Sequence, residues 1–182
     1  PFFWSAGICM ALGATLAAGA TLVLQETFEP EAALRCLVDE RANATQCWPH
    51  QAKAMAEHPL YKTLDLSRID KEVCRMQPDI DPELDTWGTQ GSFGMTETFT
   101  LTSNLPTDAP VALRNATAGK PLPGMSIRIL DTKTGAPLAA GEEGEIAVKG
   151  LTLMRGYYKV EPEATFDSDG YYHSQDGGHI DE

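Results

Sequence analysis

Apolar residues are concentrated near the start of the chain, where residues 5–24 carry no charged side chain. After Gly19 this stretch changes from a composition rich in Ala, Gly and Thr to a short β-like run. The pattern predicts a buried helix over residues 5–18, a left-handed Gly19 that ends it, and a buried strand over residues 20–24. A membrane span and a signal peptide are the alternatives. The small residues argue against a span, and the basic leader of a signal peptide is missing, so we expect neither.

Helix and strand patterns then alternate as far as residue 58. Pro30 suits the first position of a helix, and Leu34, Leu37 and Val38 repeat with the spacing of an apolar helix face. A short strand is predicted near residues 44–48, and Pro49 opens a second helix that ends near residue 58. This alternation is typical of parallel βαβ units. Residues 59–83 are predicted to form a loop with one weak helical turn, and a strand is predicted to start near Leu84.

The pattern changes after residue 104 to short strands separated by turns. Residues 125–130 alternate in the manner of a strand, a turn follows at residues 131–135, and residues 145–149 form a second strand. Another turn at residues 167–170 leads into a further strand. We therefore predict an α/β fold with two lobes: an α/β lobe of parallel βαβ units over residues 1–104, and a small antiparallel, barrel-like β lobe over residues 105–182.

Composition and charge exclude some partners. The chain has 182 residues, with 14 Lys and Arg against 26 Asp and Glu, which gives a formal net charge of −12. Double-stranded nucleic acid is an unsuitable partner, because binding its phosphates requires a basic surface. The four cysteines, at positions 9, 36, 47 and 74, contain no C-x-x-C pair. They are interpreted as reduced packing residues of a cytoplasmic protein, with a disulfide or a zinc site as the alternatives.

Residues 92–98 combine a glycine, hydroxyl groups and an acid in immediate succession. Gly94 would permit close approach of a ligand to the backbone, Thr96 can donate to a phosphate oxygen, and Glu97 can hold Mg²⁺, which prefers oxygen ligands. Taken alone, the same composition is equally typical of a polar strand end.

Five segments of the second half resemble, in order, the motifs of the adenylate-forming enzymes, the superfamily of acyl-CoA synthetases, luciferases and peptide-synthetase adenylation domains. They are residues 93–97 (F-G-M-T-E), 119–124 (G-K-P-L-P-G), 144–150 (G-E-I-A-V-K-G), 154–165 (M-R-G-Y-Y to P-E-A-T) and 169–176 (D-G-Y-Y-H-S-Q-D). Residues 1–7 are similar to a further motif of that family, with Trp4 where histidine is usual. Each match is weak alone, and their order and spacing together make the resemblance specific.

The resemblance implies a site for ATP. In it, Glu97 holds the Mg²⁺ of the bound nucleotide, and Thr96 donates to a phosphate. Phe93 stacks on the adenine beside Gly94 and Met95, and Asp176 accepts from both ribose hydroxyls. Thr96 and Glu97 are the expected catalytic residues.

The resemblance also implies a pocket for an acyl substrate, lined by Trp4, Gly7, Gly94 and Met95. An adenylation domain for amino acids usually has an aspartate near the start of the first motif, where Phe2, Phe3 and Trp4 stand here. The substrate is therefore expected to be a plain carboxylic acid, with a fatty acid as the first choice.

The implied reaction has two steps: the carboxylate attacks the α-phosphorus of ATP to give an acyl-adenylate, and the thiol of CoA then displaces AMP. Two parts of the family pattern are missing from these 182 residues, namely the phosphate loop with its lysine and the C-terminal domain with its catalytic lysine. In the last motif, Ser174 replaces threonine and Gln175 replaces glycine. We therefore expect a fragment of an acyl-CoA ligase that is inactive alone. A non-catalytic nucleotide-binding remnant and a small membrane-anchored protein are the alternatives.

Overall fold

The computed structural model describes residues 2–77, 81 and 84–181, which form two compact units. The helical unit comprises the described residues of 10–91 and 106–117, and the sheet unit comprises residues 2–9, 92–105 and 118–181. One strand pair is parallel and the others are antiparallel, so the predicted α/β class is confirmed. The predicted boundary between two lobes, at residue 104, stays a prediction.

The helices and strands have the following bounds. The helical elements are a π-helical segment at Gly7–Gly13, α1 (Ala14–Ala17), α2 (Pro30–Asp39), α3 (Pro49–Glu57) and α4 (Val111–Ala116), with 3₁₀ turns at Pro59–Lys62, Thr96–Thr98 and Pro162–Ala164. The strands are β1 (Ala44–Thr45), β2 (Lys71–Glu72), β3 (Ser92–Phe93), β4 (Ser103–Asn104), β5 (Lys120–Pro121), β6 (Met125–Leu130), β7 (Gly144–Gly150) and β8 (Tyr172–Gly178).

The first helix forms where it was predicted but differs from the expectation in burial. Helical structure runs from residue 5 to the end of α1, and Gly19 follows with φ of 62°, the left-handed conformation that ends the helix. No residue of the π-helical segment or of α1 is buried. The strand predicted over residues 20–24 is wrong, because this run has no strand partner among the described residues and Leu24 is 61% exposed.

Helices α2 and α3 enclose the core of the helical unit. Each has a proline at its start, as predicted, and the Gln51 side chain accepts a hydrogen bond from the Trp48 backbone N–H to cap α3. The core consists of Ala33, Leu34, Ala52, Met55 and Met76. Strands β1 and β2 pair in parallel, with Thr45 opposite Glu72, and α3 lies between them in the chain. A parallel βαβ connection is therefore present, but its second strand lies within residues 59–83, which were predicted to form a loop.

The strand predicted from Leu84 is wrong, and a buried arginine explains why. Arg114, on α4, has a fully buried side chain that donates to the backbone oxygen and the carboxylate of Asp85, both at 2.8 Å, and to the Gln90 amide oxygen at 2.7 Å. Polar groups of Asp85 and Gln90 thus form hydrogen bonds with the Arg114 side chain and not with a neighbouring strand. The neighbouring residues 78–80, 82 and 83 of the predicted loop lie outside the described residues.

The sheet unit contains two three-stranded antiparallel sheets. One has the order β3–β4–β5 and carries the 92–98 segment, and the other has the order β6–β7–β8. In the second sheet Ile127 lies opposite Val148, and Ala147 and Val148 are fully buried. The alternating pattern at residues 125–130 therefore predicted a real strand, and the antiparallel character of this region is confirmed.

Candidate functional site

The segment from Phe93 to Thr98 forms a tight turn that is stabilised by packing and hydrogen bonds with residues of the same chain. A Cβ at Gly94 would collide with the Thr100 backbone, so glycine is needed here for packing within the chain. Thr98 is fully buried and accepts a hydrogen bond of 2.8 Å from the Thr102 hydroxyl. The Thr102 N–H in turn donates to the Phe93 oxygen at 2.8 Å. The turn is therefore a rigid support that leaves Thr96 and Glu97 as its accessible polar residues.

Thr96 lies at the surface of this turn beside Trp4. The Trp4 indole N–H donates to the Thr96 hydroxyl oxygen at 3.4 Å, and Trp4 is 37% exposed. A hydroxyl that accepts from the indole keeps its own proton for another acceptor. The structure thus brings together one residue of the expected acyl pocket and one of the expected phosphate donors, within the same unit.

Glu97 is held by its backbone and by its side chain. Its carbonyl oxygen accepts from the Met154 N–H at 2.7 Å, and its Oε1 accepts from the Tyr157 hydroxyl at 2.8 Å. Oε2 has no hydrogen bond among the described residues. The carboxylate is therefore oriented through one oxygen, while the other is available to a ligand.

Tyr157 joins Glu97 to the second sheet. Its hydroxyl lies 3.0 Å from the hydroxyl of Tyr172, and the Tyr172 ring makes an edge-on contact with Phe166 at 6.5 Å between ring centres. Hydrogen bonding to Tyr172 and then to Glu97 raises the pKa of the Tyr157 phenol. A phenol that keeps its proton remains a donor to the carboxylate across the physiological range.

Asp176 lies further along β8, in a β-bulge. Glu145 pairs with Gly177 whereas Ala147 pairs with His173, so residues 174–176 are accommodated in a distortion of the ladder. Gln175 has φ of 64°, the left-handed conformation that favours glycine. The replacement of glycine that was noticed in the sequence therefore falls where the backbone is strained.

Glu145 supports this bulge from β7. Its Oε1 accepts from the Gln175 N–H at 3.0 Å, and its Oε2 lies 3.1 Å from His173 Nδ1. On the other side of the imidazole, His173 Nε2 lies 3.6 Å from Asp167 Oδ2. The Ser174 hydroxyl donates to the Ile146 oxygen at 2.7 Å and accepts from the Asp176 N–H at 3.1 Å. The Asp176 backbone is thus held in place, and its carboxylate is exposed.

The structure brings some of the predicted residues together and leaves others apart. Trp4 and Thr96 are joined by a hydrogen bond, and Glu97, which follows Thr96 in the same turn, is held by Tyr157. Within the described residues, no hydrogen bond or ion pair joins Asp176 to Thr96 or Glu97, and none joins Gly7 to Gly94 or Met95. The convergence of these residues on one ligand, and the stacking of Phe93 on adenine, stay predictions.

Tyr157, Tyr172 and Glu145 were missed as functional candidates. All three lie inside recognised motifs, in M-R-G-Y-Y, D-G-Y-Y and G-E-I respectively. The available signal was the motif context, but only coordinates reveal that the Tyr157 hydroxyl contacts a carboxylate 60 positions away.

The donor set fits a magnesium–nucleotide complex. Mg²⁺ is usually held by one or two carboxylates together with substrate phosphates and water. Glu97 offers one carboxylate oxygen without a described partner, and the exposed residue Thr96 precedes it in the same turn. These residues would hold the metal and a phosphate oxygen, respectively.

Comparison with known proteins decides the family. The profile described as AMP-binding enzyme matches residues 1–158, which is most of the chain. The chain belongs to the AMP-binding enzyme family. The resemblance to adenylate-forming enzymes that was read from residues 93–176 is thereby confirmed.

Members of this family with similar sequences include named CoA ligases. The chain is 31% identical over 194 residues to a 4-coumarate–CoA ligase-like protein of Oryza sativa subsp. japonica, covering 100% of this chain and 35% of that protein. It is 30% identical over 188 residues to a feruloyl-CoA synthase of an Amycolatopsis species, covering 100% and 38%. The chain therefore spans little more than a third of the length of these relatives.

A solved structure shows the same fold. ATP-bound MatB from Rhodopseudomonas palustris matches with a TM-score of 0.75 and 25% identity, over 100% of this chain and 37% of that one. In the described part of the chain, no helix has the length and apolar character needed to cross a membrane.

Proposed function

We propose that this chain is the part of an ATP-dependent, AMP-forming acyl-CoA ligase that holds the magnesium end of ATP. The carboxylate of an acid attacks the α-phosphorus of ATP, the bond to pyrophosphate breaks, and the acyl-adenylate forms. The thiol of CoA then attacks the acyl carbon and AMP leaves. Neither step needs a nucleophile from the protein, so positioning and the neutralisation of phosphate charge are the contributions expected from its residues.

The arrangement of Glu97 carries this proposal. Its Oε1 accepts a hydrogen bond from Tyr157 at 2.8 Å, and its backbone oxygen accepts one from Met154 at 2.7 Å. These two bonds hold Glu97 in place and leave Oε2 without a hydrogen bond among the described residues. Thr96 then donates to a phosphate oxygen at the neighbouring position. Mg²⁺ would supply the positive charge that offsets the charge developing on the phosphates.

The acid is proposed to be a plain carboxylic acid, with a fatty acid first and an aryl acid second. Phe2, Phe3 and Trp4 offer apolar surface and no carboxylate for a substrate ammonium group. Two of the relatives, a feruloyl-CoA synthase and a 4-coumarate–CoA ligase-like protein, make aryl acids a necessary part of any substrate panel. A cytoplasmic location is part of the proposal, because all four cysteines are free thiols.

The 182 residues alone are proposed not to complete the reaction. The relatives are much longer than the stretch they share with this chain. Removing one preorganised donor from such a site typically costs about 10²–10³ in rate, and a missing phosphate loop and lysine would cost more. A second candidate function, nucleotide binding without catalysis, is favoured by Gln175, whose left-handed backbone puts a side chain where the family has glycine.

Acid-dependent exchange of pyrophosphate into ATP tests the proposal. The assay is run on the complete gene product that contains these residues and on the 182-residue chain, with a panel of fatty and aryl acids. Glu97→Gln should lower exchange by about 10²–10³-fold. Glu163→Gln, at an exposed position of the 3₁₀ turn Pro162–Ala164, is the matched control and should leave the rate unchanged.

Three results would contradict parts of the proposal. Exchange by the 182-residue chain at the rate of the complete protein would overturn its dependence on further residues. Equal rates for Glu97→Gln and the parent would exclude the role given to Glu97. Absence of exchange by the complete protein with every acid, combined with saturable binding of Mg-ATP, would favour the non-catalytic function.

A further inference from the structure

Cys47 and Cys74 are brought together by the parallel pairing of β1 and β2. Ala44 lies opposite Lys71 and Thr45 opposite Glu72, a constant offset of 27 positions. The Val73 N–H continues the ladder by donating to the Thr45 oxygen at 3.1 Å. The same offset places Cys47 opposite Cys74, just beyond the ends of the two strands.

The thiol of Cys47 points at Cys74. Its Sγ lies 3.6 Å from the Cys74 carbonyl oxygen, to which the thiol donates. Both residues are half-buried and pack against the core of the helical unit. Neighbouring strands lie about 5 Å apart, which is inside the range of Cα separations that a disulfide spans.

We infer that Cys47 and Cys74 form a dithiol site that an oxidised low-molecular-weight disulfide, such as glutathione disulfide, converts to an intramolecular disulfide. The Cys47 or Cys74 thiolate attacks one sulfur of glutathione disulfide, and one glutathione leaves as a thiolate. The second cysteine then attacks the protein sulfur of the mixed disulfide and displaces the other glutathione. Two protein thiols become one disulfide, two glutathione molecules take up the electrons, and the two thiol protons pass to them or to water.

The environment predicts that this conversion is slow and selective. Burial, together with the neighbouring Cys74 and Glu72, raises the pKa of the Cys47 thiol to about 11, while burial raises the pKa of Cys74. Few molecules carry the attacking thiolate at neutral pH, so exchange requires minutes to hours. Selectivity comes from the second step, in which the resolving thiol is already adjacent.

Cys9 and Cys36 are the internal controls. Both are free and partly exposed, and neither lies in a strand pair. Oxidised glutathione that reacts with Cys9 or Cys36 forms a mixed disulfide, and no adjacent thiol is present to displace the glutathione from it. Oxidation at low ratios of oxidised to reduced glutathione should therefore accumulate at the pair alone.

The test equilibrates the 182-residue chain in buffers of graded ratios of reduced to oxidised glutathione, followed by acid quenching, alkylation and peptide mapping. The expected product is the peptide pair linked through Cys47 and Cys74, formed equally in Cys36→Ser and absent from Cys47→Ser and Cys74→Ser. Because the disulfide closes a loop that contains α3, oxidation should raise the melting temperature by about 5–10 °C.

Equilibration in about 8 M urea, which unfolds small domains, is the control. It distinguishes a disulfide that depends on the folded structure from one that forms by random encounter of the thiols. The selectivity for the Cys47–Cys74 link should be lost there. Equal selectivity in urea and in buffer would overturn the inference, as would mixed glutathione disulfides at Cys47 or Cys74 without the internal link under native conditions.

Discussion

Removing the Arg114 guanidinium should destabilise the helical unit by a measurable amount. The side chain is fully buried and donates to four acceptors: the Ala109 oxygen at 2.8 Å, Gln90 Oε1 at 2.7 Å, and the Asp85 oxygen and Oδ1 at 2.8 Å each. Arg114→Met keeps much of the volume and apolar stem while deleting all of these donors. The Asp85 carboxylate retains an ion pair with Arg75.

The magnitude follows from what is left unpaired. Three acceptors lose their donor, namely the buried backbone oxygen of Asp85, the backbone oxygen of the half-buried Ala109 and Oε1 of the exposed Gln90, and each such loss costs on the order of 1 kcal/mol. The expected loss of unfolding free energy is therefore about 3 kcal/mol, at the lower end of the 3–5 kcal/mol that is typical when a buried ion pair is broken, because Arg75 still neutralises Asp85. This equals a large part of the stability of a typical domain, about 5–15 kcal/mol.

Urea denaturation followed by circular dichroism measures the change, with Arg155→Met as the matched control at an exposed position. The control should lie within about 0.5 kcal/mol of the parent. Gly88→Ala adds a second test, because its Cβ would collide with the Arg114 guanidinium and with Gln90 Oε1. The alanine should be costly in the parent and less costly in Arg114→Met, where only the contact with Gln90 is left. A loss below about 1 kcal/mol for Arg114→Met, or additive effects of the two changes, would refute this account of the segment.

Three further predictions concern the sheet unit. Gln175→Gly should raise the free energy of unfolding by about 0.5–1 kcal/mol in urea denaturation, because it removes the cost of a side chain at φ of 64°; a loss of stability would contradict this. Gly94→Ala should lower the same quantity by about 1–3 kcal/mol through collision with the Thr100 backbone, whereas Gly177→Ala, whose Cβ would meet the Gly144 oxygen at an ordinary contact distance of 4.0 Å, should not. Tyr157→Phe should remove a phenol ionisation of raised pKa from the ultraviolet absorbance titration, and Tyr158→Phe should leave that ionisation in place. Because the native state binds the Tyr157 proton more tightly than the unfolded state, the stabilisation is full below a pH of about 10 and declines as the pH rises through the raised pKa; a stability difference between parent and Tyr157→Phe that grows in this range would contradict the assignment.

Local signals were sufficient for much of the fold. Pro30 and Pro49 mark helix starts because proline at that position gives up no internal hydrogen bond, and the alternation in residues 125–130 marks β6, although Ile129 and Leu130 are both buried. The segment at residues 92–98 was singled out by its composition and motif, although its turn was not predicted. In each case the residues that determine the structure are neighbours in the sequence.

Long-range contacts explain what the sequence pattern did not reveal. Leu84 and its neighbours looked like a strand, but their backbone shape depends on Arg114, 29 residues beyond Asp85. Residues 20–24 have strand propensity but no strand beside them among the described residues, and a strand is stabilised by its partner. The orientation of Glu97 depends on Tyr157 in another segment, which spacing alone cannot indicate.

The backbone hydrogen bond from the Met154 N–H to the Glu97 oxygen has a consequence for which substitutions this chain can accept. Since it uses only main-chain atoms, any residue except proline at position 154 can make it. Mutations can therefore accumulate in the connection between β7 and Tyr157 while Glu97 keeps its position. They would change the surface around the exposed side chains of Leu151 and Tyr158. Libraries that vary residues 151–155 and omit proline at position 154 would alter that surface without uncoupling Glu97 from its support.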